Sequence, residues 1–191
     1  MKGPILPQNK QGVCLAQYDN SWYNPGPKWK IFLWLLVSVL FFDNGFAVFS
    51  GFKCFLLRLF GAKVGKRVRI KPFGKIKYPW LLMIGSDVWI GEDVWIDNLG
   101  LVVIGDSVCV SQGALLLTGN HNYKTPFFDL MIGKIILEDG VWIGAKSTVC
   151  PGVTCKTHAV LSVSSVASTD LEAFCIYQGV PAKKIRIRTI N

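Results

Sequence analysis

The stretch Ile84-Gly85-Ser86-Asp87-Val88-Trp89-Ile90-Gly91-Glu92-Asp93-Val94-Trp95-Ile96-Asp97 decides the fold, because an isoleucine followed by glycine or aspartate returns every six residues. The beat resumes at Ile104-Gly105, Val110-Ser111 and Leu116, and again through Leu137, Ile143-Gly144, Val149, Cys155, Leu161 and Ala167. Four residues after all of these but Ile96 and Leu116 stands a second, mostly small residue: Val88, Val94, Val108, Ala114, Val141, Ser147, Val153, Ala159, Ser165 and Leu171. A fixed short period means that each turn of chain repeats one structural unit. An amphipathic helix would repeat near 3.6 residues and a half-buried hairpin strand near 2, so a strict six fits neither. It fits a coil of short parallel strands, with a large aliphatic pointing inward and a small residue at each tight corner. Each buried aliphatic contributes roughly 1.5–3 kcal/mol, and stacked coils share one continuous core.

A chain of 191 residues builds one such core with an N-terminal appendage. The six cysteines, Cys14, Cys54, Cys109, Cys150, Cys155 and Cys175, show no C-x-x-C or paired metal spacing. They read as reduced, buried thiols of a cytosolic protein. Met1 to Asn20 is polar and contains proline, with no apolar core or cleavage site of a secretion signal, so export is not expected. The net charge of +9 admits nucleic acid, an anionic membrane or a phosphorylated ligand as partner. No base-reading motif is present, which leaves nucleic acid the weakest of the three.

The apolar run Ile31 to Phe42 is too short for the roughly 20 residues that span a bilayer. Phe52, Phe55, Leu56, Leu59 and Phe60 form a helical stripe, and Gly61 is a stop signal. Two placements are open for these helices. They pack across the open end of the coil, whose unpaired strand edges need cover, or they lie at a lipid headgroup layer, anchored by Trp22, Trp29 and Trp34 beside Lys28 and Lys30.

The beat fails twice: two extra residues enter around Asp97-Asn98-Leu99-Gly100, and residues 118–136 form a long excursion holding His121. Loops on a rigid scaffold are where reactive side chains usually sit. An imidazole can accept the proton of a hydroxyl as it attacks, an effect of roughly 10²- to 10⁴-fold. The other histidine, His158, falls within a repeat at a position expected to face solvent.

The [LIV]-G-x-x-[small]-x runs, from about Val64 to Arg188, resemble the left-handed parallel β-helix of the hexapeptide-repeat acyltransferases. The ending Gln178-Gly179-Val180-Pro181-Ala182-Lys183-Lys184-Ile185-Arg186 is similar to that family's closing signature. Within the family, Phe55 to Gly65 and Thr118-Gly119-Asn120-His121-Asn122-Tyr123 look most like the colanic-acid biosynthesis acetyltransferases, with maltose and galactoside O-acetyltransferases next. The resemblance implies a mainly β chain: an N-terminal helical segment at 1–62, the β-helix at 63–176 with its inserted loop 118–136, and a basic tail at 177–191. It implies acetyl transfer from acetyl-CoA to a sugar hydroxyl of a bacterial surface polysaccharide or its precursor, with His121 as general base, no covalent acyl-enzyme and no metal.

The same resemblance assigns the remaining site residues. Asp97 stands where related enzymes have an asparagine; it either accepts hydrogen bonds from the acceptor, orients His121, or is a turn residue. Asn98 then takes the donor role toward the acceptor. Trp142 matches the position beside the pantetheine arm, and Ala145, Val163, Ser168, Lys183 and Arg186 match coenzyme A contacts. Trp89 and Trp95 occupy equivalent slots in earlier repeats, so outer-face packing is an alternative for Trp142. The family's active sites lie between subunits, which implies a homotrimer, cytoplasmic or peripheral at the inner membrane face. Two other functions stay open, N-acetylation of a nucleotide-linked amino sugar and a non-catalytic β-helix; a γ-carbonic-anhydrase-like site would need three histidines, and the chain has two.

Overall fold

The computed structural model describes residues 12–45 and 49–190; the stretch 1–11, read above for a secretion signal, lies outside them. From Lys63 onward the chain winds as a parallel β-helix with three faces. The first face stacks Lys63–Val64, Leu82–Ile84, Val102–Ile104, Ile135–Leu137 and Thr154–Cys155. The second stacks Arg69–Ile70, Trp89–Ile90, Cys109–Val110, Trp142–Ile143, Val160–Leu161 and Cys175–Gly179, with Ala182–Ile187 added antiparallel at its far edge. The third stacks Lys75–Ile76, Trp95–Asp97, Leu115–Leu117, Thr148–Val149 and Val166–Ala167.

The six-residue beat is the inner ladder of these faces. Ile84, Ile104, Leu137 and Cys155 stack inward on the first face, Ile90, Val110, Ile143 and Leu161 on the second, and Ile96, Leu116, Val149 and Ala167 on the third. All twelve are buried. The corners follow a second rule: the third residue after a rung takes a left-handed conformation, as at Asp87, Asp93, Ser107, Gly113, Gly140, Lys146 and Ser164. Leu171, expected at a corner, instead bridges to Cys155 as a rung, so the last coil is shorter. His158 occupies a left-handed corner, yet it does not face solvent freely; its ring lies flat on Phe174, with centroids 4.7 Å apart.

Glycine after the rung has a steric cause. A Cβ on Gly85 would sit 2.7 Å from the Gly105 carbonyl, and one on Gly144 would sit 2.6 Å from the Val163 nitrogen. At these glycines consecutive coils leave no room for a side chain, whereas other rungs are followed by residues such as Asp97, Ser111 and Leu117.

Coil length is not uniform. Ile70 pairs with Ile90 and Ile90 with Val110, steps of 20; Val110 pairs with Ile143, a step of 33; Ile143 pairs with Leu161, a step of 18. The surplus leaves at one edge, between the third and first faces: residues 77–81 in the first coil, 97–101 in the second and the 118–134 excursion in the third.

Two helices close the N-terminal end, α1 (Lys28–Phe41) and α2 (Ser50–Leu59). The first coil donates its N–H groups to the second, so its carbonyls face outward without a ladder partner. The helices supply the donors: Trp34 Nε1 to Ile76 O at 2.7 Å, Lys53 Nζ to Lys71 O at 2.9 Å, and Arg58 Nη2 to Gly65 O at 2.7 Å. Ser50 Oγ accepts from Ile70 N at 3.0 Å and Cys54 Sγ approaches Val68 O. Lys53 is therefore only 1% exposed, and burial pulls its ammonium pKa below the ordinary lysine value. Burial pushes the Cys155 thiol up to about 12, and all six cysteines are free thiols.

The glycine constraint yields a stability test. Gly85→Ala is expected to destabilise the protein by roughly 1–3 kcal/mol through overpacking, read as a lower urea midpoint. Gly51→Ala, where nothing lies within 4 Å of the added Cβ, is expected not to lower it.

Candidate active site

The excursion in the third coil is ordered as an antiparallel hairpin, Gly119–His121 against Leu130–Ile132, with His121 opposite Leu130. Its root is tied to the neighbouring corner by Thr118, which is fully buried. The Thr118 hydroxyl donates to Asp97 O and accepts from Gly100 N, both at 2.9 Å. Gly119 faces Leu99, and a Cβ there would run into that side chain. Asn120, inserted before the histidine, projects into solvent and its Oδ1 accepts from His121 N at 2.8 Å.

His121 is gripped by one residue in two ways. Its Nδ1 lies 2.9 Å from Phe128 O, and its ring stacks on the Phe128 ring at 4.4 Å with an 8° interplanar angle. A carbonyl oxygen can only accept, so Nδ1 carries the proton and Nε2 carries the lone pair. Phe128 adopts φ +53°, an unusual conformation for an aromatic residue, and it is this turn that aims its carbonyl back at the imidazole. Tyr18 packs tilted against the imidazole, 5.6 Å away between ring centroids.

The imidazole opens on a cleft of about 400 Å³ lined by Tyr18, Tyr23, Lys77, Tyr78, Leu99 and Leu130, among others. Tyr18 and Tyr23 come from the segment before α1, where neither carries a motif or periodic signal in the sequence. Cys14 N donating to Pro126 O at 2.8 Å and Pro25 O accepting from Trp80 Nε1 at 2.5 Å hold that segment against the hairpin and the first coil. Tyr23 donates to Leu99 O at 2.8 Å, and burial, with Tyr78 and Asp97 nearby, holds its phenol pKa far above the ordinary value. It stays a neutral hydroxyl.

Asp97 and Asn98 have partners in the fold that the sequence did not show. Asp97 does not orient the imidazole: Phe128 O holds Nδ1, and the Asp97 carboxylate pairs with Lys77 Nζ at 2.9 Å. Lys77 lines the cleft and Asp97 does not. Asn98 cannot meet an acceptor. It is fully buried, its Oδ1 accepts from Lys77 N and Tyr78 N at 3.1 and 3.0 Å, and its Nδ2 donates to Tyr78 O at 2.6 Å. The amide extends the pairing between the first two coils past Ile96 O, which still accepts from Lys77 N, a structural use of its donors and acceptors.

Trp142, Ala145, Val163 and Arg186 line one groove of about 450 Å³ on the second face, and Ser111 in its wall accepts a hydrogen bond from Trp142 Nε1 at 3.0 Å. Ser168 is elsewhere. Ile96 pairs with Leu116, Leu116 with Val149 and Val149 with Ala167, so the residues that follow, Asp97, Leu117, Cys150 and Ser168, climb the edge that carries His121. Lys183 lies exposed on the terminal strand opposite Gln178. The groove and the histidine cleft share no lining residue. Three faces close a triangular coil, and the edge between the third and first faces lies across it from the second.

No protein-family model matches the chain. Among curated proteins, the Escherichia coli K12 protein described as "putative colanic acid biosynthesis acetyltransferase WcaF" is 36% identical over 159 residues, covering 83% of this chain and 87% of its own. A hexapeptide-repeat-containing acetyltransferase structure from Vibrio cholerae superposes with a TM-score of 0.77 at 20% identity, covering 85% of this chain and 93% of that one. A galactoside acetyltransferase structure in complex with coenzyme A superposes at 0.75 and 21% identity, covering 84% and 81%.

The Thr118 tie sets where the hairpin leaves the coil. Thr118→Val, which leaves Gly100 N without its partner and removes one of three donors to Asp97 O, is expected to cost roughly 1–3 kcal/mol. Thr118→Ser should restore most of it, both measured by chemical denaturation.

Proposed function

The chain belongs to the hexapeptide-repeat acetyltransferases, and from that membership we propose that it moves the acetyl group of acetyl-CoA onto a hydroxyl of a sugar in a bacterial surface polysaccharide or its precursor. The observation that carries the reading is the His121 imidazole, held by Phe128 O with Nε2 left as the basic atom in a cleft of phenols and one lysine. A sugar ring suits such a cleft, its faces against tyrosine rings and its hydroxyls within reach of polar groups.

In this reading His121 Nε2 takes the proton of the acceptor hydroxyl as that oxygen attacks the thioester carbon. The tetrahedral oxyanion collapses, the carbon–sulfur bond breaks, and the proton on Nε2 passes to the departing thiolate. An acetyl ester and free coenzyme A result, and the imidazole ends in its starting tautomer. Asp97 fixes the Lys77 ammonium, which then faces the acceptor as a hydrogen-bond donor.

The groove lined by Trp142, Ala145, Val163 and Arg186 is the proposed seat of the pantetheine arm, with Arg186 and Lys183 neutralising coenzyme A phosphates. His121 and that groove lie across one coil from each other, so a complete site needs the histidine edge of one subunit against the second face of the next. A closed homotrimer supplies three such contacts, each with Ser168 from the histidine edge.

Acetyl-CoA supplied with a panel of sugars, with thiol release followed and products identified by mass, tests the chemistry. His121→Ala is expected to lower turnover by about 10²- to 10⁴-fold with its melting temperature unchanged; a variant as fast as the parent would sink the base assignment. An N-acetyl product would replace the hydroxyl acceptor with an amine.

The shared site is tested separately by mixing subunits. His121→Ala and Val163→Trp, the latter filling the groove, are each expected to be inactive. Unfolded and refolded together, they should recover about a quarter of parental activity, because that share of sites pairs an intact histidine with an intact groove. No recovery would place the whole site in one chain.

A further inference from the structure

The outer face of the two helices inverts the usual rule for a water-facing helix. On α1, Trp29, Phe32, Leu36, Val39 and Leu40 follow one stripe, and each is at least 46% exposed. Trp34, on the opposite side, is buried against Phe42 and Phe60. On α2, Phe52, Phe55 and Leu59 are exposed while Lys53 is buried. Phe41 packs edge-on against Phe52 at 5.2 Å and Phe52 stacks with Phe55 at 6.4 Å, which joins the two stripes into one patch. A lysine turned inward and phenylalanines turned outward is an arrangement that water does not favour.

Charge says what the patch faces. Between Asn20 and Ser86 the chain carries eleven lysines and arginines and one acid, Asp43. Lys53 is buried, Lys77 lines the histidine cleft and pairs with Asp97, and Arg67 pairs with Asp87; the other eight belong to the helices or to the first coil beneath them. A second copy of this chain on the same face would set these cations against themselves. An anionic lipid surface takes both the apolar stripe and the cations. The helix cannot cross: α1 has 14 residues, a rise of about 21 Å against a hydrocarbon core of about 30 Å.

We propose that α1 and α2 seat the protein on an anionic bilayer, lying in the headgroup layer with Trp29, Phe32, Leu36, Leu40 and Phe55 in the acyl boundary and the surrounding lysines and arginines over the lipid phosphates. The inner faces of the same helices close the end of the β-helix, so the coil stands on the membrane by the element that caps it. This inference does not depend on the acetyl-transfer chemistry, and its readout involves no turnover.

The test is flotation of the full chain with vesicles of phosphatidylglycerol and phosphatidylethanolamine, compared with phosphatidylcholine alone. The parent is expected to float with the anionic vesicles, to leave them at high salt, and to show a blue shift of tryptophan emission. Phe32→Ser combined with Leu36→Ser and Leu40→Ser is expected to lower the bound-to-free ratio by roughly tenfold or more. Its targets are exposed, so its melting temperature should match the parent's. Should that variant fail to fold, Lys28→Glu with Lys66→Glu, which alters no apolar packing, is expected to lower binding several-fold on its own.

Failure of the parent to float with anionic vesicles would overturn the proposal, as would equal partition into phosphatidylcholine. A parent that does not float, together with a drop in sedimenting mass for the serine variant, would identify the patch as a contact between copies instead.

Discussion

Each coil of this protein hangs from the next by main-chain hydrogen bonds: Gly65 N to Ile84 O, Gly85 N to Ile104 O and Gly105 N to Leu137 O, at 2.7–2.8 Å. That ladder leaves a triangular interior too narrow for anything but one rung per face, and at Gly85 and Gly144 a stacking distance too short for a Cβ. Residues beyond what a coil requires have one way out, through a corner. The protein uses a single corner for nearly all of its surplus, and there the Lys77–Asp97 pair, the buried Asn98 amide and the His121 hairpin all emerge. What looks in sequence like an irregular spacing is in space one edge along which irregularities accumulate.

The same ladder creates a demand at its ends. A stack of parallel strands terminates in unpaired carbonyls at the start and an open edge at the finish, and both invite association with other chains. At the finish, Ala182–Ile187 folds back antiparallel along Cys175–Gly179. At the start, side chains of α1 and α2 donate to the first coil one carbonyl at a time, which is why a lysine and an arginine of a surface helix point inward. With Lys53, Arg58 and Trp34 committed to that task, the outer face of the helix pair is mostly apolar, with Lys28 at its start.

The His121 cleft depends on elements distant in sequence. The imidazole is set by a main-chain carbonyl seven residues away, a tyrosine from the N-terminal segment and a threonine tied to the previous coil. The groove carrying Trp142, Ala145, Val163 and Arg186 is on another face, held by strand register and not by any contact with the histidine. The two halves are rigid because the coil between them is rigid, and their separation within one chain is what motivates the proposal of a site shared between subunits.

Periodicity by itself determined the β-helix, its rungs and the points where it is interrupted, because a side chain every six residues records a geometry that repeats. It also marked the excursion that holds His121 as a break in the count, while the four groove residues came from the resemblance to a family and not from the rungs. It could not determine hydrogen-bond partners. Asp97 and Asn98 read from sequence as acceptor contacts, and only the folded chain gave one to Lys77 and buried the other against Tyr78. Tyr18, Tyr23 and Phe128 carry no periodic or motif signal, and they reach His121 only because the N-terminal segment crosses the hairpin and Phe128 adopts a left-handed turn. Position along a ladder is a local property that sequence can encode openly; the direction of a carbonyl and the crossing of two distant segments exist only once the chain has closed on itself.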